Sequence, residues 1–141
     1  MRVDGRVLVK KLLKDKKASL IVVKEGNILY VGYNHGLRDL AFLIRSSPRM
    51  LNRAYIADKV VGKAAAIILT YHKVSYVYAL VLSKYGLKVL AQEGIPYEYE
   101  ELVSSIRNPK GDLCPFERLV LDIDDLEEAY NILIKELMKF N

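Results

Sequence analysis

The fold is decided by the stretch Asp58-Lys59-Val60-Val61-Gly62-Lys63-Ala64-Ala65-Ala66-Ile67-Ile68-Leu69, near the middle of the 141-residue chain. Beyond its first turn, a helix formed by this stretch is apolar on nearly every side, and such a helix is typically buried against a sheet. Asp58 is a good N-cap residue, because its carboxylate can accept hydrogen bonds from the free N–H groups of a first turn. We therefore predict a third strand over 53–57, followed by a buried helix capped by Asp58.

The segments on either side alternate between helix and strand patterns, which favours a three-layer α/β/α sandwich in a single domain over residues 1–141. Ligands of such sheets bind beyond the carboxyl ends of the strands. Before the third strand and the buried helix, the sequence predicts a first helix capped by Asp4, strands over 19–23 and 28–31 joined as a hairpin, and a helix over 37–44. After them it predicts a strand over 74–82, a helix capped by Ser83 and ended by Gly94, a strand over 95–100, and helices over 115–121 and 125–139.

The composition limits the classes of protein that fit. The only cysteine is Cys114, so an internal disulfide and a four-residue Cys/His zinc cage are both excluded. No apolar run approaches the roughly 18 residues of a membrane span. The charged start, residues 1–6, contains no signal-peptide stretch. We expect a cytoplasmic protein without a membrane partner.

The net charge of +5 is distributed unevenly along the chain. Residues 1–63 contain 14 basic and 5 acidic side chains, whereas residues 64–141 contain 8 and 12. A basic half can attract a phosphate or a nucleic acid. A solvated charged surface explains the same lysines without any partner.

The first candidate site is the predicted start of the central helix. Lys59 and Lys63 are four residues apart and would share one helical face, while Gly62 between them would let another group approach closely. Free N–H groups, the helix dipole and two lysines would together form an anion site. A desolvated lysine could also act as an acid or nucleophile. The simpler interpretation is that Asp58 only caps the helix and that the lysines extend to solvent.

The second candidate site is the start of the helix at 115–121. Pro115 suits the first helical position, which makes Cys114 the N-cap and lets Glu117 reach back to the cap N–H as in a capping box. A thiol at a helix N-terminus tends toward the reactive thiolate, although a buried cysteine that merely begins a helix fits equally well. The preceding loop offers Arg107 and Lys110, which could close over a phosphate or form a plain surface turn.

Three blocks in the same order resemble the domain-of-unknown-function family 1893: residues 58–66, Cys114-Pro115-x-Glu117, and 119–130. The resemblance covers about Ala18 to Leu133. It implies a cytidine-deaminase-like fold with a mixed five-stranded sheet and no established activity. It also implies that Asp58-Lys59 and Cys114-Glu117 lie close together in one pocket.

The zinc deaminases begin one core helix with a ligand, one further residue and a catalytic Glu, and the next with Pro-Cys-x-x-Cys. In this comparison Asp58 would stand at the first ligand and Val60 at the catalytic Glu, with Cys114 and Glu117 at the two cysteines. The resemblance thus implies a deaminase scaffold that lacks the zinc site, and we expect neither a metal nor another cofactor.

The first functional hypothesis is a pocket for a nucleotide-like or phosphate-bearing small molecule. Asp58 and Gly62 would seat the ligand, and Lys59 and Lys63 would supply positive charge. Cys114 and Glu117 would line the opposite wall. If the pocket is catalytic, Lys59 would be the acid or nucleophile, and Asp58 or Glu117 the base.

Two alternatives remain open at this point. One is a nucleic-acid-binding module that uses the basic first half of the chain. The other is a non-catalytic assembly subunit, since deaminase-like folds often form homo-oligomers.

Overall fold

The computed structural model describes residues 4–139. The first three residues, on which the expectation about a signal peptide partly rests, lie outside the described residues. None of the helices in the described part of the chain combines the length and the apolar character that a membrane span requires. The elements follow the predicted order: α1 Gly5–Asp15, β1 Leu20–Lys24, β2 Asn27–Gly32, α2 Arg38–Ser46, a 3₁₀ helix Pro48–Leu51, β3 Tyr55–Val61, α3 Lys63–Tyr71, β4 Tyr76–Ser83, α4 Lys84–Gln92, β5 Tyr97–Val103, α5 Pro115–Val120 and α6 Leu126–Leu137.

The five strands form one mixed sheet in the order β2-β1-β3-β4-β5. Strand β1 pairs antiparallel with β2 and with β3, whereas β3, β4 and β5 are parallel. The predicted hairpin and the predicted mixed sheet are therefore confirmed. The caps proposed for the first and fourth helices are confirmed too, because Arg6 N donates to Asp4 Oδ1 and Gly86 N donates to Ser83 Oγ, each over 2.9 Å.

Helices cover both faces of the sheet. On one face, Val9 and Leu13 of α1 pack with Ile21, Ala57 and Tyr78 of the strands. On the other face, helices α2 to α6 close over a larger core. Three consecutive side chains of α3 are at most 1% exposed (Ile67, Ile68 and Leu69). Burying each of them stabilises the fold by roughly 1.5–3 kcal/mol, which confirms the prediction of a buried central helix.

The predicted start of that helix is wrong. Strand β3 continues to Val61, so Asp58 lies inside a strand, and Gly62 takes the N-cap position of α3. The reason is pairing on both sides. Asp58 lies opposite Leu20 of β1 and Ala79 of β4, and Lys59 N donates to Ser19 O over 2.9 Å. These ladder hydrogen bonds outweigh the local capping tendency of an aspartate, and Lys59 and Lys63 consequently do not share a helical face.

A buried carboxylate ties the first hairpin to α2. Asp39 is 2% exposed and accepts hydrogen bonds from Tyr30 Oη (2.6 Å), Ser19 Oγ (3.1 Å), Asn34 Nδ2 (2.8 Å) and Asn34 N (3.1 Å). A Cβ atom on Gly32 would overlap the Asp39 carboxylate, so only glycine fits there. This network fixes the turn after β2, which forms one wall of the cavity described below.

Replacing Asp39 by alanine is expected to lower the free energy of unfolding by about 2–3 kcal/mol, because several donors lose their acceptor at once. Urea unfolding followed by circular dichroism measures this loss. The matched control is Asp15→Ala on the exposed end of α1, which should stay within about 0.5 kcal/mol of the unsubstituted protein. Equal effects of the two substitutions would contradict the role of the network.

Candidate functional site

A cavity of about 250 Å³ opens at the carboxyl end of β3. Its walls come from β3, from the turn after β2, from the first residues of α3 and from the segment that leads into α5. Five of the residues that the sequence singled out line it together: Asp58, Lys59, Gly62, Cys114 and Glu117.

Asp58 presents a buried carboxyl group to this cavity. The residue is 8% exposed, and its carboxyl accepts a long hydrogen bond of 3.4 Å from Val60 N. Within residues 4–139, no lysine or arginine forms an ion pair with it. Burial without a cation disfavours the charged form and raises the pKa of Asp58 to about 8. At neutral pH this group is therefore mostly a neutral acid, which can both donate and accept a hydrogen bond.

Glu117 performs a different task from the one predicted. Its two carboxylate oxygens accept hydrogen bonds from Lys63 N and Ala64 N, each over 2.7 Å, so it caps α3 from 54 and 53 positions away. The predicted capping box within α5 is wrong, because Cys114 N donates to Ile106 O over 3.1 Å instead. Burial raises the pKa of Glu117, and the two N–H groups partly oppose that rise.

Two glycines allow this close approach. A Cβ atom on Gly62 would overlap Glu117 Oε1, and one on Gly86 would lie 2.9 Å from Gly62 O. The start of α3 is thus enclosed between the Glu117 side chain and the first turn of α4. Any larger residue at position 62 would displace the carboxylate from the helix N-terminus.

The residues predicted to bind phosphate do not come together in the structure. Two N–H groups at the start of α3 donate to Glu117, so these two are not free to bind an external anion. Lys63 is buried away from the cavity and donates from Nζ to Leu121 O over 3.0 Å. Arg107 donates to Gly111 O, and neither it nor the exposed Lys110 lines the cavity. Of the predicted cationic residues, Lys59 alone lines it.

Three polar residues line the cavity that the sequence did not single out: Ser19, Asn34 and His35. Ser19 precedes β1 and reaches the site because β1 pairs with β3. Asn34 and His35 belong to the turn that Asp39 holds. In the sequence, these residues are marked only by the polar segment Asn34-His35-Gly36 between a strand and a helix. That this segment lies beside β3 follows from the order of the strands, which the sequence does not reveal.

The residues do not fit a deaminase zinc site. Among the described residues, no three His, Cys, Asp or Glu side chains group together as metal ligands. Both oxygens of Glu117 are engaged with backbone N–H groups, and Cys114 is the single thiol.

Comparisons with a family model and with a solved structure agree with each other. The sequence model of a domain of unknown function (DUF1893) matches residues 8–138. The crystal structure of a DUF1893 family protein from Thermotoga maritima is similar with a TM-score of 0.84 and 31% sequence identity, covering 96% of this chain and 92% of that one. No curated protein matches the chain.

Substituting Glu117 with glutamine is expected to lower the free energy of unfolding by about 1–3 kcal/mol, because an amide offers one acceptor oxygen to two N–H donors. Urea denaturation at neutral pH measures the change. The control is Glu101→Gln on the exposed strand β5, which caps nothing. A change below about 0.5 kcal/mol for Glu117→Gln would show that the cap contributes little.

Stability should also depend on the protonation of Asp58. The folded protein keeps this proton up to about pH 8, whereas the unfolded chain releases it near the ordinary value of 3.8. Because the folded-state pKa is raised, this contribution to stability is fully present below about pH 4 and is lost as the pH rises through 8.

The measurement is urea unfolding of the unsubstituted protein and of Asp58→Asn at about pH 5.5 and about pH 8.5. The unsubstituted protein should lose about 2–3 kcal/mol relative to the variant between these two conditions. Asp112→Asn, at an exposed loop position, is the control and should show no such difference. A pH-independent difference for Asp58→Asn would mean that its carboxyl is ionised throughout.

Proposed function

The chain belongs to the DUF1893 family, and we propose that it binds a nucleotide-like small molecule whose ring enters the cavity and meets Asp58. The observation that carries this proposal is a carboxyl group, 8% exposed, that faces the cavity without a cationic partner. An unpaired buried carboxyl destabilises a fold unless it stays protonated or finds a partner. A ligand that hydrogen-bonds with the neutral acid would supply that partner.

The remaining walls suit a flat, largely apolar ring. Ala64 and Ala65 of α3, together with Ile106 and Phe116, contribute apolar surface. Small-molecule sites are usually apolar concavities with a few well-placed polar groups. The space of about 250 Å³ accommodates a ring system of nucleobase size.

The protonation state of Asp58 determines which hydrogen-bonding groups a ligand needs at this position. A neutral carboxylic acid offers an O–H donor beside a C=O acceptor, which complements the paired acceptor and donor of an amide or amidine edge. Heterocyclic bases and lactams have such edges. Lys59 lies at the exposed rim and is placed to meet an anionic substituent. These features support a ligand with a neutral ring and a negatively charged tail.

We propose a relationship to the cytidine deaminases, with a changed correspondence of residues. The mixed five-stranded sheet with helices on both faces is compatible with this proposal. If the first zinc ligand of the deaminases stands at the start of the core helix, its counterpart is Gly62 rather than Asp58, because α3 begins at Lys63. Glu117 then stands at the second cysteine, and its carboxylate lies against Gly62. We propose that a carboxylate cap has replaced the metal. Glu117 is then unavailable as a base, and the proposal assigns binding rather than a reaction to the cavity.

Native mass spectrometry of the full chain, purified without added ligand, tests the binding proposal directly. A retained adduct of nucleoside or nucleotide mass that disappears on denaturation is the expected result. If the chain carries no adduct, thermal-shift measurements with a panel of nucleosides and mononucleotides follow. Absence of both an adduct and any stabilisation would overturn the proposal, and stoichiometric zinc would contradict the carboxylate replacement.

Affinity for any compound so identified should fall as the pH rises through about 8, because ionised Asp58 loses its donor. Asp58→Leu should weaken binding at least about tenfold, whereas Asp58→Asn should retain binding within a few-fold and lose the pH dependence. Isothermal titration calorimetry at three pH values measures both effects. Asp112→Asn is the control, and an equal loss for the leucine and asparagine variants would exclude hydrogen bonding by this group.

A further inference from the structure

A second depression shares Lys59 with the cavity. It has a volume of about 330 Å³ and runs between the end of α1 and the sheet. Three lysines and three apolar residues line this feature, called here the lysine groove: Leu13, Lys14, Lys17, Ala18, Lys59 and Leu80.

Backbone hydrogen bonds fix the main chain of the groove at Lys17 and Lys59. Lys17 has a left-handed φ of 52°, and its N–H donates to Lys14 O over 3.3 Å at the end of α1. Ala18 N then donates to Leu13 O, also over 3.3 Å, which turns the chain into β1. Lys59 joins from β3, since its N–H donates to Ser19 O over 2.9 Å. The groove is therefore assembled on ordered backbone.

The groove carries more positive than negative charge. Lys14 pairs with Glu100 over 3.1 Å, and this carboxylate raises the pKa of Lys14. In the part of the chain that the structure describes, Lys17 and Lys59 form no ion pair with a carboxylate. Like charges placed together repel, and a bound anion would relieve that repulsion.

Apolar side chains line the same groove. Leu13 and Ala18 are 4% and 5% exposed, and Leu80 is partly buried. Lysine stems lie favourably along such surfaces while their ammonium groups reach outward. All three lysines are exposed, so salt screens their attraction for an anion and binding is strongest at low ionic strength.

We infer that the lysine groove binds a phosphate group. Lys59 lines both the groove and the cavity, so one ligand could place its ring in the cavity and its phosphate in the groove. This connection rests on the proposed function, whereas the groove itself does not. The phosphate could belong to a mononucleotide or to the backbone of a nucleic acid, because both present the same chemistry to lysines.

Titration of the ¹⁵N-labelled full chain with inorganic pyrophosphate at low salt, followed by NMR, tests the groove alone. Saturable shifts of the Lys17, Ala18 and Lys59 amides are expected. Lys17→Gln and Lys59→Gln should each weaken binding about threefold to tenfold. The matched control is Lys11→Gln, at an exposed position of α1 outside the groove. It should change the affinity less than about twofold.

Shifts spread evenly over all lysines, no saturation, or an equal loss in Lys11→Gln would overturn the inference. The amide spectrum of each variant shows whether it remains folded. If Lys59→Gln unfolds, Lys17→Gln still decides the question, because Lys17 lies at an exposed turn.

Two further titrations, one with a mononucleotide and one with a single-stranded oligonucleotide, distinguish the source of the phosphate. A mononucleotide that binds more tightly than pyrophosphate, and loses this gain in Asp58→Leu, supports a ligand spanning both features. A single-stranded oligonucleotide that binds with steep salt dependence and ignores Asp58→Leu supports a nucleic-acid backbone. If pyrophosphate binds and the mononucleotide affinity is unchanged by Asp58→Leu, the groove is supported as a phosphate site. The same result contradicts the proposal that the cavity binds the ring.

Discussion

The site is organised by one interaction, the donation of two backbone N–H groups at the start of α3 to the carboxylate of Glu117. A helix N-terminus carries a partial positive charge and unsatisfied donors, and a carboxylate satisfies both. Because this carboxylate comes from α5, it fastens the segment that contains Cys114 to the central helix. A side chain at position 62 would collide with this carboxylate, and one at position 86 would press on the backbone of Gly62.

Two buried carboxyl groups at one cavity have opposite roles because their surroundings differ. Glu117 faces two N–H donors that favour the charged form, although burial still raises its pKa. Asp58 faces the cavity with one long hydrogen bond, and its pKa rises to about 8. Glu117 therefore stabilises the fold as a helix cap, whereas Asp58 stays mostly neutral at neutral pH. Pairs of titratable groups in contrasting environments are typical of functional sites.

The sequence predicted the elements well because their signals are local. Apolar periodicity located α3, and Asp4 and Ser83 marked helix starts through their own side chains. The errors came from interactions between distant residues. Asp58 resembles a cap within its own segment, but pairing with β1 and β4 keeps it in a strand. The cap that α3 uses lies 54 positions away, which no local spacing rule can reveal.

The same distant cap explains why the predicted anion-binding residues do not meet at the start of α3. With the helix N-terminus closed by Glu117 and Lys63 bound to Leu121 O, the cavity keeps Lys59 as its cationic group among the four that the sequence had proposed for phosphate. Lys59 follows Asp58 in strand β3, and it lines both the cavity and the lysine groove. Strand β3 extends through residue 61 and carries Lys59. This lysine lies beside the end of α1 together with Lys14 and Lys17, which also belong to the basic first 63 residues.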